Sequence, residues 1–530
     1  MQAPPIHAFQ LWQDAQKTLD YAMRHYLEST MALQSSLYSG THPVESFSLR
    51  STLAKTWLND SPSPDRDSIL ARAQVHINQM RNSLIFINTF PPEILLKIFR
   101  FVAFSALDTH FSAATPSFSQ QDDYKDLLVL THVCSYWRRI LLDAPPFWSR
   151  FELDTRNSIK GESERAEMYF DRARGTSRSL FIEERTPHYF NNADFEMILE
   201  IIRSRLDNLT QLALLNFPRI HYVSRAISHW LKYGKPGVLQ SLTIQMDPEL
   251  QIGEPIDTED IDDDKQASLI FDSLRTLALR GVKFDWESPV YHNLVQLHIS
   301  NIPYEASPHI HHMLDILSAS PLLRTLKISN MAILRCDQVP VEPIHLTELE
   351  NLELMALTYE SLDVLLPMIL PQSKDFTFRV SLLALEDNLV SAVHSFLNRT
   401  NVTRLFIQQD LLTRCLPVVP NLRALVIDLQ ERPVDSCFSE FSYIDETNSR
   451  RILRCPKLHT LHLHSGSIPI EAIQGIVETH PLIQKLRFSS CYIDPFEDEL
   501  SYWLKPYIED VQFDLRLDEE AMLDWSHLMI

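Results

Sequence analysis

A short leucine pattern recurs from residue 209 to residue 488 and constrains the fold more than any other feature of this chain. In each copy an apolar residue is followed, three positions later, by a leucine and, two positions after that, by another apolar residue. Ten full copies begin at Leu209, Leu239, Leu274, Leu294, Leu323, Leu349, Val402, Leu422, Leu458 and Ile483. Phe376-Thr377-Phe378 is a weaker copy, and counting it the spacings run from 20 to 36 residues. Such a period predicts a repeat architecture.

The pattern has a physical cause in strand geometry. Alternate residues of a strand point to opposite faces, so the leucine and the apolar residue two positions later enter the core while their neighbours face outward. The intervals of the repeat are long enough to return as a helix, and six helices are predicted there: Phe195 to Arg205, Tyr222 to Lys232, His309 to Ala319, Tyr359 to Ile369, Glu386 to Leu397 and Glu471 to Thr479. A seventh helix, Ser163 to Ala173, is predicted before the repeat. No copy can bury its leucines alone, so each needs its neighbours.

These copies resemble divergent leucine-rich repeats, with irregular spacing and a frequently missing asparagine. The resemblance implies a curved α/β solenoid over residues 153–530. Leu180-Phe181-Ile182 is expected to be a strand before the first full copy, Val511/Phe513/Leu515 a terminal strand, and Trp503, Trp525 and Leu528 a cap on the last core face. The acidic stretch from Asp257 to Asp264 is interpreted as a solvated loop, in preference to an ion site.

Outward residues of the predicted strands would line the inner face of the solenoid, a surface that repeat proteins commonly use for partners. The candidate target-binding residues are Arg280, His298, Lys327, Glu353, Arg404, Phe406, His462 and Arg487. Phe406, flanked by Arg404, is the expected anchor because aromatic and arginine side chains carry much of the energy of interfaces. Solubility alone would also make this face polar.

A second organised stretch runs from Phe90 to Phe151. Pro91 and Pro92 suit the first turn of a helix, where the missing N–H has no partner to lose, and an apolar stripe follows at Ile94, Leu95, Ile98, Phe99 and Val102. A second helix is predicted with Leu130, Val133, Cys134, Trp137 and Leu141 on one face, ending near Ala144 before Pro145. Two short helices cannot bury so many large apolar side chains, which indicates that some of them face a partner.

At Pro92-Glu93-Ile94-Leu95, Val133-Cys134-x-x-Trp137-Arg138 and Pro146-Phe147-Trp148 the sequence resembles the F-box family. The resemblance covers residues 88–152 and departs from the family where Ala103 to Lys125 is interpreted as an inserted loop or short helix. It implies binding to a Skp-type adaptor and, through it, to a cullin of a ubiquitin ligase. The adaptor-binding residues would be Phe90, Pro91, Ile94, Leu95, Ile98, Val133, Cys134 and Trp137. The alternative interpretation is a helical hairpin that belongs to a larger core.

The first 87 residues are predicted to form a helical, coiled-coil-like region, either a hairpin or a short coiled coil, with intramolecular packing favoured over dimerisation. Residues from His7 to Leu37 lack proline and glycine and have apolar residues at helical spacing, and Leu70 to Ile87 carries a heptad pattern. A linker rich in proline, serine and aspartate occupies residues 39–66. The expected fold class is therefore α/β, with an N-terminal helical hairpin and a small all-α F-box-like module followed by a curved leucine-rich-repeat solenoid.

Composition excludes several classes of function. The net charge of −21 opposes a general nucleic-acid or anionic-membrane surface. Six scattered cysteines without a Cys-x-x-Cys pair suggest neither a disulfide framework nor a zinc module, which favours a reducing cytosol or nucleus. No apolar run approaches the roughly 20 residues needed to span a bilayer.

No catalytic or cofactor pattern accompanies these features. The nine glycines form no phosphate-binding loop, and neither a nucleophile elbow nor a His-Glu-x-x-His helix occurs. His462 and His464 share one face of a predicted strand near His459, but solvated histidines are favoured over a metal site because no third ligand is evident. Cys134 is expected to be a small buried thiol on the docking helix. The sequence therefore predicts a non-enzymatic substrate receptor without cofactor or metal; the alternative is a repeat scaffold unconnected with ubiquitination.

Overall fold

A computed structural model describes residues 5–38, 82, 85–110, 123–154, 159–184, 192–203, 206–217, 219–246, 254–257, 264–336, 342–383, 390–429, 441–445, 450–494 and 497–514. The chain divides into two units, Met1–Pro91 and Pro92–Ile530. The first unit contains α1 (Pro5–Tyr38), which confirms the helix predicted from residue 7 to residue 37, and a 3-10 turn at Phe86–Thr89. The predicted linker and most of the second helix of the hairpin lie outside the described residues. Within the described part of the chain, no helix is long and apolar enough to cross a membrane.

The second unit begins with a helical module. It contains α2 (Pro92–His110), α3 (Asp123–Val133) and α4 (Ser135–Leu142), followed by a 3-10 turn at Pro145–Phe147. Two helices were expected, but Cys134 has extended backbone angles (φ −157°, ψ 165°) and separates α3 from α4. Helix α2 continues into the expected insertion from Ala103 to Lys125, to residue 110, and α3 starts at residue 123. Residues 111–122 lie outside the described residues, so the insertion stays a prediction.

A parallel sheet of 14 strands dominates the described part of this unit. Its strands are β1 (Arg150–Asp154), β2 (Arg178–Glu183), β3 (Leu209–Phe217), β4 (Ser241–Met246), β5 (Thr276–Arg280), β6 (Gln296–Ser300), β7 (Thr325–Ser329), β9 (Asn351–Leu357), β11 (Phe376–Leu382), β12 (Val402–Gln408), β13 (Ala424–Asp428), β16 (Thr460–His464), β18 (Lys485–Ser489) and β20 (Asp510–Asp514). Short strands form three further two-stranded sheets: β8 (Ile344–Leu346) with β10 (Ile369–Pro371), β14 (Ser442–Asp445) with β15 (Arg450–Leu453), and β17 (Ser467–Pro469) with β19 (Tyr492–Asp494). The strands of the large sheet follow one another in chain order, which is compatible with a solenoid-like α/β repeat.

Helices connect many of these strands. They are α5 (Ile159–Arg172), α6 (Asn192–Arg203), α7 (Ile220–Tyr233), α8 (Asp264–Phe271), α9 (Ile310–Ser318), α10 (Tyr359–Leu365), α11 (Val390–Arg399), α12 (Gln409–Cys415), α13 (Ile470–Thr479) and α14 (Glu497–Leu504). The six helices predicted in the repeat and the helix predicted before it are all confirmed to within a few residues. Helix α8 includes the last residue of the predicted acidic loop, whose residues 258–263 lie outside the described residues. The expected cap residues Trp525 and Leu528 also lie outside them.

The leucine pattern forms the core of this unit. The paired core residues, such as Leu242 and Ile244 of β4 or Leu461 and Leu463 of β16, are fully buried. Their registers place leucine beside leucine on successive strands, so that Leu242 pairs with Leu277 of β5. Each leucine therefore loses its contact with water only because the next repeat covers it. At about 1.5–3 kcal/mol for each fully buried side chain, this shared burial holds the repeats together.

The chain leaves several strands through residues in the left-handed backbone region. Gly281, Asn301, Asn330, Ser465 and Ser490 have φ values between 50° and 69°. Glycine and asparagine adopt this region more easily than other residues. The Asn330 side-chain amide also donates a hydrogen bond to Asn301 Oδ1 at 3.0 Å, which joins two successive turns.

Trp148 lies between the helical module and the sheet. Its indole Nε1 donates a hydrogen bond to the carbonyl oxygen of Leu141 in α4 at 2.8 Å, and its ring meets Tyr169 of α5 edge-on at 5.0 Å. The Arg172 guanidinium lies 4.5 Å from the centre of the same ring. Strand β1 begins two residues later and spans the predicted boundary at residue 152. The division into residues 1–87, 88–152 and 153–530 stays a prediction.

We expect Trp148→Phe to lower the free energy of unfolding by about 2–3 kcal/mol, because the indole hydrogen bond is lost, the Leu141 carbonyl keeps only backbone donors such as the Ala144 N–H at 3.2 Å, and a small cavity remains. Urea denaturation of the full chain measures the change. Trp503→Phe is the matched control; Trp503 is half-buried in α14, and its loss should cost less than about 1 kcal/mol. Equal costs at the two positions would contradict the role given to the Trp148 hydrogen bond.

Candidate interaction surfaces

Helix α2 presents two apolar stripes with different surroundings. One stripe is buried in the module and consists of Leu95, Phe99 and Ala103. The other contains Ile94, Ile98, Phe101 and Val102, of which Ile94 is 42%, Phe101 74% and Val102 43% exposed. The sequence placed all the apolar residues of this helix on one face. The structure separates them because residues four apart stay aligned, whereas immediate neighbours such as Ile94 and Leu95 point about 100° apart around a helix.

Helix α3 also has an exposed apolar stripe. Val129 and Val133 are four residues apart and are 59% and 54% exposed, whereas Leu127 and Leu130 are buried. Helices α2 and α3 pack against each other. We call the side chains Ile94, Ile98, Phe101, Val102, Val129 and Val133 the module stripes. Such large exposed apolar side chains are a common sign of an interaction site.

Three of the predicted adaptor-binding residues are placed differently from the expectation. Leu95 is completely buried, so it stabilises the module and is not available to a partner. Trp137 is half-buried, and its ring packs on Phe99 with 4.7 Å between the centroids. Cys134 caps the start of α4, where its Sγ accepts a hydrogen bond from the backbone N–H of Trp137 at 3.5 Å. The outward placement expected for Leu95 was wrong, because its side chain packs inside the module. The adaptor-binding roles of Trp137 and Cys134 stay predictions.

The remaining adaptor candidates keep some exposure. Ile94 and Val133 are exposed and Ile98 is half-buried. Phe90 and Pro91 belong to the first unit; Pro91 is exposed, and Phe90 is half-buried with its ring 5.1 Å from that of Phe86. Their adaptor-binding role stays a prediction.

The module also has a groove of about 570 Å³ that the sequence did not reveal. Its lining residues are Pro92, Leu96, Lys97, Arg100, Tyr136, Arg139, Ile140, Asp143, Ala144, Pro146 and Phe147. Apolar side chains and three cations line it, with Asp143 as the one carboxylate of the set. The groove depends on the packing of α2 against α4, which no periodicity within a single helix could show.

The second surface is the strand face opposite the leucine core. The registers of the 14 strands align one residue from each strand into a single line across the sheet, which we call the central row. In order it consists of Glu152, Phe181, Ala213, Thr243, Ala278, His298, Lys327, Glu353, Arg379, Phe406, Val426, His462, Arg487 and Gln512. Six of the eight predicted target-binding residues lie in this row, and Arg280 and Arg404 lie on the same face beside it.

Burial along the central row contradicts part of the prediction. Phe406 and Glu353 are each only 2% exposed, and His462 is fully buried. Neighbouring strands are about 4.8 Å apart, so side chains in register pack side by side and shield each other from water. Phe406 is therefore not an exposed anchor in this structure.

The other predicted target-binding residues, Arg280, His298, Lys327, Arg404 and Arg487, are partly exposed. Of these, Arg404 has its Nη2 at 3.1 Å from Asp375 Oδ2, so its guanidinium is held beside the start of β11. Whether these residues bind a target stays a prediction.

Three charged residues of the row form a buried cluster. Glu353 Oε1 lies 3.2 Å from Lys327 Nζ and 3.3 Å from Arg379 Nη1. Arg379 was missed because β11 carries the weak copy of the pattern; alternation from Phe376 and Phe378 would have placed Thr377 and Arg379 on this face. A carboxylate between two cations in a poorly hydrated position fixes the side chains of three adjacent strands.

A cavity of about 320 Å³ opens over strands β3 to β7 on the same face. Its lining residues are Gln211, Ser241, Thr243, Thr276, Leu277, Ala278, Gln296, Leu297, His298, Thr325 and Lys327. The Nε2 atom of His298 is buried and has no hydrogen-bond partner among the described residues. Burial, together with the nearby charges of Lys327 and Arg280, lowers the pKa of His298 to about 3, so the imidazole is neutral at pH 7.

His462 and His464 are buried, which overturns the expectation of solvated histidines. The Nε2 atom of His462 lies 2.6 Å from the Ser489 hydroxyl of β18. Burial, with the neighbouring His464 and Arg487, lowers the pKa of His462 to about 3, and burial lowers the pKa of His464 to about 4. The described residues contain no group of three or more metal-ligating side chains that could hold an ion. The five cysteines that the structure describes are free thiols.

The stability of the chain should fall as the pH decreases from 7 to 5. The pKa of His462 is depressed in the folded state and close to 6.5 when unfolded, so the unfolded state binds more protons in this interval. The expected slope is up to about 1.4 kcal/mol per pH unit for each such histidine. Chemical denaturation at several pH values measures it. His462→Gln removes the titrating group beside Ser489 and should flatten the slope; an unchanged slope would contradict this origin.

Comparison with models of known protein families finds no match to this chain, and comparison with curated proteins finds none either.

Proposed function

We propose that this chain is the substrate-recognition subunit of a cullin-based E3 ubiquitin ligase, with an F-box-like module and a leucine-rich-repeat solenoid. The observation that carries the proposal is the pair of module stripes on α2 and α3, where five apolar side chains are more than 40% exposed. Among the described residues of the module these side chains stay in contact with water, and an adaptor helix laid across them would bury them. The F-box resemblance of the same residues supplies the kind of adaptor.

The repeats would hold the protein to be ubiquitinated. Their exposed polar positions lie on one strand face of a continuous sheet, so a target bound there would have a fixed orientation relative to the first strand, β1, which directly follows the module in the chain. The chain itself would perform no bond chemistry. Its contribution would be to raise the effective concentration of the target near a ubiquitin-loaded enzyme supplied by other subunits. Such a complex works in the cytosol or the nucleus.

Titration calorimetry of the purified full chain with a Skp-type adaptor tests the proposal. We expect one-to-one binding with a dissociation constant of about 1 μM or lower, as for a specific interface of standard size. Absence of heat and of complex formation by a folded chain would contradict the ligase assignment and leave a repeat scaffold.

A further inference from the structure

The cavity over β3 to β7 differs from the rest of the strand face opposite the leucine core. Farther along the central row, Phe406 and His462 are covered, whereas the cavity opens between strands whose outward side chains are mostly short. Ser241 of β4, Thr276 of β5 and Thr325 of β7 form part of its lining. Its volume of about 320 Å³ falls at the lower end of the range for ligand sites, about 300–1,000 Å³, and suits a single side chain with its flanking backbone.

The polar groups of the cavity are rich in hydrogen-bond donors. Lys327 supplies an ammonium group, and the hydroxyl and amide side chains supply neutral donors. None of the residues that line the cavity is a carboxylate, although the whole chain carries 69 acidic residues against 48 lysines and arginines. The donors favour an anionic acceptor, because hydrogen bonds between an ammonium and a carboxylate are among the strongest in proteins.

His298 adds a second reason. A buried polar atom without a partner is costly, and the imidazole Nε2 faces this cost in the free chain. The lysine next to it in the row, Lys327, is already anchored by Glu353 at 3.2 Å, so its ammonium group is held in place before a ligand arrives. An acceptor placed between these two side chains would receive an N–H from the imidazole and a charged N–H from the lysine at once.

We propose that this cavity binds the carboxylate of an aspartate or glutamate side chain in an acidic segment of the bound protein, with Lys327 and His298 as its donors. Identifying that protein as the one to be ubiquitinated rests on the proposed function; the carboxylate site itself does not. The net charge of −21 repels an acidic peptide at long range. At physiological salt, charges more than about 8 Å apart are largely screened. Binding of an acidic peptide under these conditions therefore reports the local site and not a general attraction.

Fluorescence anisotropy of labelled peptides with the purified full chain tests this site. The probes are blocked hexapeptides of alternating residues, glutamate with alanine, glutamine with alanine, and lysine with alanine. We expect the glutamate peptide to bind at least about tenfold more tightly than the glutamine peptide, because only the carboxylate pairs with Lys327. Equal affinities for the glutamate and glutamine peptides would overturn the proposal.

Two variants locate the binding. Lys327→Gln should weaken the glutamate peptide about tenfold or more, while Lys485→Gln, which removes a lysine of β18 from the same strand face, should leave it unchanged. If Lys327→Gln fails to fold, Thr325→Val keeps the volume, removes one hydroxyl donor and should weaken the peptide about threefold or more. Equal effects of the Lys327 and Lys485 substitutions, or an unchanged affinity in a folded Lys327→Gln chain, would contradict the assignment.

Unlabelled acetate and free glutamate serve as competitors, which show whether the bound carboxylate belongs to a small molecule or to a protein side chain. If acetate and glutamate displace the labelled peptide only at concentrations far above that of the peptide, the result supports a protein side chain as the ligand. Displacement by either small molecule at concentrations similar to the dissociation constant of the peptide would overturn the assignment of a protein ligand. Adaptor binding is measured on the same preparation. Loss of peptide binding with adaptor binding intact refutes the carboxylate site alone, and the opposite result refutes the ligase assignment alone.

Discussion

Replacing both Ile94 and Val133 by aspartate is expected to weaken binding of a Skp-type adaptor by at least about 100-fold without loss of stability. The two side chains belong to the stripes of α2 and α3 and are 42% and 54% exposed in the free chain, so charges at these positions remain hydrated when nothing is bound. On docking, two carboxylates would be transferred into an apolar interface without partners, at a cost of several kcal/mol. Titration calorimetry measures the affinity, and circular dichroism with thermal melting checks the fold.

The matched control places the same charges at apolar positions of the repeats. Leu322 and Leu482 are 63% and 47% exposed, and each precedes a copy of the leucine pattern by one residue. Leu322→Asp with Leu482→Asp should leave adaptor binding within about twofold of the unmodified chain, because surface substitutions away from an interface have small effects. Equal losses in the two double variants would mean that added negative charge, and not the module stripes, weakens the complex. Full binding by the Ile94/Val133 variant would contradict the docking role of the stripes.

Leu95 illustrates why the choice of residue matters. From the sequence it belonged with Ile94 to one apolar stripe, and an aspartate there would have been a natural test of docking. In the structure it is completely buried, so a charge at this position would unfold the module and abolish binding for a reason unrelated to the interface. The exposed and buried stripes of α2 differ by about 100° around the helix, which hydrophobicity alone does not distinguish.

The sequence predicted the elements that local pattern determines. The leucine pattern located a strand at each of its copies. The stretches between copies predicted helices such as α7 and α13 to within a few residues. Strand β1 was not predicted as part of the sheet, because Arg150 to Asp154 forms no full copy of the pattern and pairs only through its neighbour β2. The break at Cys134 was missed for a related reason: a continuous helical stripe does not show a single extended residue within it.

The burial of the strand face opposite the leucine core could not be predicted from the residue pattern of any single strand. Alternation correctly put His462 and Phe406 on the face opposite the core, but their exposure depends on which side chains lie next to them in register. Short residues such as Ala278 and Thr243 leave an opening beside His298, whereas large residues fill the row at β12 and β16. The same strand position is therefore a cavity wall in one repeat and part of a second core in another.

Glu353→Gln is expected to lower the free energy of unfolding by about 3–5 kcal/mol, the range found when one partner of a buried ion pair is removed. The glutamine has nearly the same shape, so no cavity forms and the change isolates the charge. Lys327 Nζ and Arg379 Nη1 both lie within about 3.3 Å of one carboxylate oxygen, and the substitution leaves these two cations near each other without that carboxylate between them. Urea denaturation of the full chain measures the loss.

Glu348→Gln provides the control for Glu353. Glu348 Oε2 lies 3.9 Å from Arg324 Nη2, and both side chains are about half exposed, so this pair should contribute less than about 1 kcal/mol. Similar losses at the two glutamates would show that the buried cluster stabilises nothing beyond an ordinary surface pair. A larger loss at Glu353, partly recovered when Lys327→Met and Arg379→Met are added, would show that the cost comes from the unpaired cations, since apolar side chains of similar volume can replace a buried ion cluster. The cluster would then act mainly to fix Lys327, a residue that also lines the cavity over β3 to β7.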